Sequence, residues 1–413
     1  MIKHASIVPL IGGETIAQQN IFGSKPEYIL SYSVFQNNES HLLNYYNNEI
    51  PYHLLDDKGS QSKLKLLEKV NVVNTVCPCA GLSSLSPSAN SNSAMNEWMF
   101  RSAEYVLSNI KPEVFWGENA PRLASKMGEP VVKRLRKIGE ENGYTMSIFK
   151  TKSILHGLSQ VRDRTFYFFW KGDSIPLFEY VDNLETHEKI EDTILNARKG
   201  TKENDPMSKI LTNAKIPSKD PFYCYLLEVI HGGISHAEYV KKIEKSGNVL
   251  DFIEMAGHTY KDVAKWMRAH GFDREAKKSD RMYHKLKGGG NIMRKHVEIP
   301  KNYIGAFVGH MPGMLTHPTE DRFLTVRECL AIMKMPADYE LLNPSRSLNH
   351  ICQNVPVTTA MYAAQMVKDH LEGKLETVKS KFLIQDNKSK SINISTVNTL
   401  DSFFSLHSQQ TVV

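Results

Sequence analysis

The chain has 413 residues, 41% of them hydrophobic and 23% charged, enough to bury a large core shared by two or three lobes. No stretch approaches the roughly 18 uninterrupted apolar residues of a membrane span, and a formal net charge of +6 permits a polyanionic partner without demanding one. Five scattered cysteines, Cys77, Cys79, Cys224, Cys329 and Cys352, argue against a disulfide framework and for a reducing compartment, so a soluble, cytoplasmic protein is expected.

From residue 1 to 171 strands and helices alternate. An apolar start, Ile7 to Ile11, runs into Gly12 and Gly13, and extended runs follow at Tyr28 to Val34, Val70 to Val76, Val114 to Trp116 and Thr165 to Trp170. Between the later runs lie helical patterns, one opened by Pro130 with Val131, Leu135 and Ile138 on one face and ended before Gly143. The alternation predicts a doubly wound α/β sheet, whose ligands sit at the carboxyl ends of its strands. From 172 to 310 the rhythm is lost. Lys277, Lys278, Arg281, Lys285, Lys287 and Arg294 surround Gly288, Gly289 and Gly290, which predicts a smaller lobe with a basic face. Val357, Met361, Ala364, Val367 and Leu371 then recur at helical spacing and predict a core helix. Beyond residue 383 Ser, Asn, Thr and Lys dominate, and 383–413 reads as a disordered tail.

Cys79 follows the Val70 to Val76 run in the segment Cys77-Pro78-Cys79-Ala80-Gly81, ahead of a polar loop that holds Ser83 and Ser84 and reaches Asn96. A thiol at a strand's carboxyl end beside a small flexible loop suits a nucleophile that meets a bulky substrate and is then covered. Taken alone, a free cysteine is more often a buried apolar side chain. The next strand delivers Glu118 and Asn119; a carboxylate there, beside aromatic residues, can have a raised pKa and donate a proton, or be an ordinary loop acid. Gln160, Arg162 and Arg164 precede the following strand. Alternation puts the two guanidinium groups on one side of an extended segment, which suits an anionic or carbonyl-rich ligand, or a surface ion-pair cluster.

Pro78-Cys79, then Glu118-Asn119, then Gln160, Arg162 and Arg164, each beside a successive strand, resemble the motif blocks of the DNA cytosine-5 methyltransferase family. Arg322 to Glu328 with Met335 to Tyr339 resembles the block that supports the family's target-recognition lobe, and Ile351 to Pro356 its late block, which leads into a return helix. The resemblance implies a Rossmann-like, S-adenosylmethionine-dependent catalytic domain in 1–171, an inserted target-recognition domain in 172–310, and its support with the return helix in 311–382. It implies that Cys79 attacks C6 of a cytosine and that Glu118 protonates or hydrogen-bonds N3. Arg164, with Arg162 near it, would contact the O2 side of the base or the adjacent phosphate. The base must leave the duplex for this chemistry. Ser83, Ser84, Asn119, Gln160, Lys285, Lys287 and Arg294 are expected to face double-stranded DNA, the basic residues mainly at phosphates.

The resemblance thins at the cofactor. The family's Phe-x-Gly-x-Gly-Gly is here Val8-Pro9-Leu10-Ile11-Gly12-Gly13, its ribose-binding acid is Gln36, and the Asn of its late block is Gln353. Leu10, Ile11, Gly12, Gly13, Gln36, Asp57, Pro78 and Gln353 are the cofactor residues the resemblance implies, with no metal. Two alternatives stay open: a DNA-binding subunit that keeps the fold without the cofactor, and an enzyme that transfers a different group to the base. In the tail, Leu400, Phe403 and Phe404 resemble the short peptides that bind replication sliding clamps; docking on the protein's own surface is the alternative. Work on DNA in a bacterial or virus-infected cell, as in restriction-modification, would follow.

Overall fold

Strands in which alternate side chains are buried on opposite faces form the centre of the molecule. In chain order they are β1 (His4–Ile7), β2 (Ile29–Tyr32), β3 (Tyr52–Leu55), β4 (Val72–Thr75), β5 (Val114–Asn119), β6 (Tyr144–Lys152) and β7 (Asp163–Lys171). The shorter β8 (Ser174–Pro176), β9 (Gly247–Asn248), β10 (Glu298–Ile299) and β11 (Thr377–Lys379) pair off separately, before β12 (Phe382–Asp386) and β13 (Ser391–Ile394) return to the sheet. This is a computed structural model and describes residues 1–55, 67–83, 86, 89–290, 292 and 295–394.

The large sheet has the order β13-β12-β6-β7-β5-β4-β1-β2-β3. Strand β7 runs antiparallel between β5 and β6, and β13 is antiparallel to β12; the other neighbours are parallel. The winding reverses between β1 and β4, so their carboxyl ends flank the crevice in which a doubly wound sheet binds its ligands.

Helices cover both faces. The catalytic half contains α1 (Gly13–Phe22), α2 (Gln36–Tyr45), α3 (Glu97–Tyr105) and α4 (Glu129–Glu141). The middle carries α5 (Ile190–Leu195), α6 (Pro221–Tyr225), α7 (His236–Lys242), α8 (Val249–Met255), α9 (Tyr260–Ala269) and α10 (Asp273–Lys287), and the end α11 (Val326–Ile332), α12 (Pro344–Gln353) and α13 (Val357–Leu371). Helices α1 and α13 pack over Val72, Trp116, Phe168 and Trp170, and α3 and α4 over Val73, Phe115, Tyr167 and Phe169. The two-residue period of the strands splits these side chains between the faces. A third apolar cluster, with Tyr223, Tyr239, Leu250, Val263 and Met267, belongs to α6 to α10. Ser279 Oγ donates to the Tyr260 carbonyl at 2.6 Å and ties α10 to α9.

The return helix and the four long extended runs stand where the sequence places them. Three details differ. The apolar run from Ile7 to Ile11 does not continue β1, because Val8 and Leu10 take left-handed conformations and turn the chain out of the sheet. Strands β3 and β6 escape the sequence reading, since Tyr144 to Lys152 mixes Thr, Ser and Lys with its buried Met146, Ile148 and Phe149. The boundaries at 172 and 383 also shift. Strand β8 pairs with β11, Phe178 and Val181 donate to Gln385 and Asn387 at 2.9 Å each, and β12 is buried throughout beside β6. The expected disordered tail is therefore ordered sheet as far as residue 394. Residues 395–413, with Leu400, Phe403 and Phe404 of the clamp reading, lie outside the described residues. Among the described residues no helix is long and apolar enough to cross a membrane.

Candidate active site

The chain leaves β1 through a strained turn. Val8 and Leu10 have φ of 50° and 52°, a region that costs a residue with a Cβ about 1–2 kcal/mol. Both side chains are buried, as is Ile11, and that packing holds the turn. Leu10 stands where the family pattern has glycine, and its backbone shows why glycine suits the position. Gly12 follows at φ 86°, and Gly13 opens α1. The Gly13 amide donates to Asn354 Oδ1 at 3.1 Å, and a Cβ on Gly13 would meet Asn354 at 2.0 Å. Tyr339 adds a hydrogen bond to the Ile11 carbonyl at 2.7 Å. The late block thus closes over the glycine pair through Asn354, one residue past the Gln353 that the sequence singles out. Gln36 and Gln353 are both exposed and are brought near each other by Asn38, which donates to Gln353 at 2.9 Å. Asp57 lies outside the described residues.

Strand β4 is followed by Cys77 and, two residues on, Cys79. Cys77 is buried, with its sulfur 3.2 Å from Thr75 Oγ1 and 3.7 Å from Ser102 Oγ. Burial pushes its thiol up to about 11, against the pull of those hydroxyls, so it stays protonated and inert near neutral pH. Half-buried Pro78 separates it from Cys79, which opens a single 3-10 turn to Gly81. A Cβ on Gly81 would meet Asn96 Oδ1 at 2.2 Å, and Asn96 also holds the carbonyls of Asn90 and Ser91 at 3.1 and 3.0 Å. The loop after Cys79 is thereby pinned to the start of α3. The Ser83 carbonyl accepts from Arg122 at 3.4 Å, and Ser84 is outside the described residues.

Strand β5 delivers Glu118, which is buried and ion-paired with Arg164 from β7. Burial raises its pKa, the Arg164 and Arg162 charges oppose the rise, and the carboxyl ends above its ordinary value. Asn119 is fully buried: its Oδ1 accepts from the Ala120 amide at 2.8 Å and its Nδ2 faces Met99 Sδ at 3.2 Å. It braces the exit of β5 and does not face outward to DNA.

Gln160 and Arg162 also depart from expectation. Gln160 is buried between the Ile332 carbonyl, at 3.2 Å, and the Phe307 amide, at 3.3 Å. Arg162 donates to the carbonyls of Phe307, Cys352 and Asn354 at 2.6, 2.7 and 2.8 Å. Both dock distant segments onto the start of β7, so only Arg164 of the two arginines ion-pairs with the acid. Lys285 and Lys287 are exposed near the end of α10, and Arg294 is outside the described residues.

The sequence reading passed over Glu14. It is the second residue of α1, fully buried, and neither carboxylate oxygen makes a well-formed hydrogen bond. The Asn74 Nδ2 and Tyr167 hydroxyl are equally buried and unsatisfied. An acid directly after a glycine pair, in an otherwise apolar turn, was the available signal. Unsatisfied buried polar atoms are costly, and three such side chains on α1, β4 and β7 suit a polar ligand. The residues are therefore compatible with a cofactor that is itself polar and charged.

A model of C-5 cytosine-specific DNA methylases matches residues 11–369. No curated protein matches the chain. Among solved structures it is similar to a prophage-encoded E. coli protein described as a DNA modification methyltransferase, with 14% identity, a TM-score of 0.54, and coverage of 90% of this chain and 100% of that one. It is also similar to a methyltransferase of Entamoeba histolytica, at 11% identity and a TM-score of 0.51, over 90% of this chain and 99% of that one. At such identities the structures speak for the fold, and the family match speaks for the chemistry: the chain belongs to the C-5 cytosine-specific DNA methylases, S-adenosylmethionine-dependent enzymes that methylate cytosine in DNA.

Proposed function

We propose that this protein methylates a flipped-out cytosine through a covalent bond between Cys79 and C6 of the base. The supporting observation is the buried Glu118–Arg164 pair, at the end of the strand next to the one that presents Cys79, while Cys77 is sequestered as a protonated thiol. Cytosine C5 is a weak nucleophile. Addition of the Cys79 thiolate at C6, with Glu118 donating a proton to N3, moves electron density onto C5. S-adenosylmethionine, when bound, supplies an electrophilic methyl group on a sulfonium. Loss of the C5 proton to a base then breaks the bond from C6 to sulfur and returns the thiolate, and N3 gives its proton back to Glu118. Arg164 orients Glu118 and stands ready for the O2 side of the base.

Leu10 to Gly13, Gln36, Pro78 and Gln353 would line the cofactor side. Tyr32 and Phe35, at the end of β2 and before α2, have rings 4.8 and 5.0 Å from Trp98 and would offer aromatic surface there. Residues 172–310, with the helices α6 to α10, would read and hold the duplex. The loop from Ser83 to Asn96 would close on the extruded base, which costs a few kcal/mol, roughly, to unstack and unpair.

Duplex DNA carrying 5-fluorocytosine, which cannot lose a proton from C5, tests the proposal. With S-adenosylmethionine the wild type should form a denaturation-resistant protein–DNA adduct and Cys79→Ala should not. With ordinary DNA, mass spectrometry of nucleosides should find 5-methylcytosine. An adduct in both proteins, or in neither, would sink the covalent reading, and a different mass on the base would replace the methyl group.

A further inference from the structure

We propose that Glu14 recognises the cationic sulfonium of S-adenosylmethionine and lets the site distinguish the charged methyl donor from its neutral product. The inference rests on the cofactor reading above and deepens it.

The position of Glu14 is the first argument. It lies one residue past Gly13, at the start of α1 beside the turn assigned above to the cofactor, buried and with both carboxylate oxygens unpartnered, and near enough to Glu118 at the base end for that carboxyl to raise its pKa. A methyl group passing from cofactor to base must lie between these two ends. Its isolation is the second. On α1 itself, Thr15 is bonded to Ser6 at 2.7 Å and Gln18 to His4, Asn74 and Trp116 at 3.1, 2.7 and 3.0 Å. The groups that face Glu14 are the Asn74 amide and Cys77 thiol from the β4 side, Glu118 from β5 and the Tyr167 hydroxyl from β7. The nearby arginines are engaged elsewhere, Arg164 with Glu118 and Arg162 with three backbone carbonyls.

No cation among the described residues therefore compensates Glu14. Burial, and Glu118 whenever it is ionised, raise the pKa of this carboxyl well above its ordinary value, against the Asn74 amide, and so favour its neutral form while no cation faces it. A cation brought alongside ionises it and displaces the proton. Once the methyl group has left, the sulfonium is a neutral thioether, the buried carboxylate has no partner, and it takes a proton back. Affinity for the donor thus exceeds affinity for the product.

Calorimetry on the full chain tests this with three ligands: S-adenosylmethionine, sinefungin, which carries an amine cation in place of the sulfonium, and S-adenosylhomocysteine, which is neutral there. Heats measured in buffers of different ionisation enthalpy should show proton release for the two cations and less for the thioether. Glu14→Gln should weaken both cations about tenfold, the equivalent of about one pKa unit, and leave S-adenosylhomocysteine within about twofold. Retained thioether binding shows that the variant is folded. Equal weakening of all three ligands, or of none, overturns the proposal; so does the absence of excess proton release in the wild type, a measurement that needs no variant. Wild type that binds none of the three overturns the cofactor reading and this inference together, whereas wild type that binds all three with unchanged discrimination in Glu14→Gln overturns this inference alone.

Discussion

Glu118 has to carry a proton to be useful as a donor to N3, and its burial favours that state even beside Arg164. The protonated fraction falls as pH rises through the raised pKa, so single-turnover methyl transfer should decline on the alkaline side. Glu118→Gln should lower the rate about 10²- to 10⁴-fold and abolish that limb of the pH profile. A profile with the same limb in the variant would assign it to another group. The two cysteines give a matched contrast. Cys77→Ala removes an inert buried thiol and should retain adduct formation with 5-fluorocytosine DNA, at a cost of about 1–2 kcal/mol in denaturant unfolding; loss of the adduct in a folded variant would reassign the nucleophile. Glu118 and Arg164 stand out in the sequence as polar residues at the end of one strand and the start of another, and the fold pairs them. Arg162 and Gln160 share the same short motif, yet their environment comes from Phe307, Ile332 and Cys352, which are distant in sequence.

At the scale of elements, helix α11 is positioned by charge as well as by its apolar face. Thr325 and Glu328 form a capping box at its start, and Arg322 grips Glu328 with two contacts, at 2.8 and 2.9 Å. Arg327 of the same helix is buried and makes a two-point bond to Asp205, at 2.8 Å for each contact. Burial would raise the Asp205 pKa, but the Arg327 and Ser208 hydrogen bonds outweigh it and bring it to about 2. A folded value below the unfolded one stabilises at pH above the unfolded pKa, and that contribution is lost as pH falls toward 2. Arg327→Met should therefore cost about 3–5 kcal/mol near neutral pH by stranding Asp205, and the difference from wild type should shrink in acid. Chemical denaturation at two pH values checks both; a cost below about 1 kcal/mol at neutral pH would show that the pair is dispensable.

At the scale of the whole molecule, α10 gathers exposed basic side chains on one element. Helix α10 exposes Arg274, Lys277, Lys278, Arg281, Lys285 and Lys287, while Ala276 and Ser279 pack inward. A polyanionic duplex on that face releases counterions, so Lys285→Ala combined with Lys287→Ala should reduce the slope of log affinity against log salt by about 2 if both lysines meet phosphates. Fluorescence anisotropy over a salt series measures it, and an unchanged slope would place the DNA elsewhere. The sheet itself is assembled from distant pieces: β12 closes beside β6, and α13 returns to pack on α1.

By itself the sequence determined the fold class and the return helix, because apolar period and strand exits are local properties. Tertiary structure alone decided that Cys77 is buried, that Arg164 meets Glu118, and that a polar stretch from 382 to 394 completes the sheet. It also decided that Glu14 is a buried acid that no cation among the described residues faces. Burial and the absence of a facing cation depend on what α1, β4, β5 and β7 place around it, and no spacing along the chain records that.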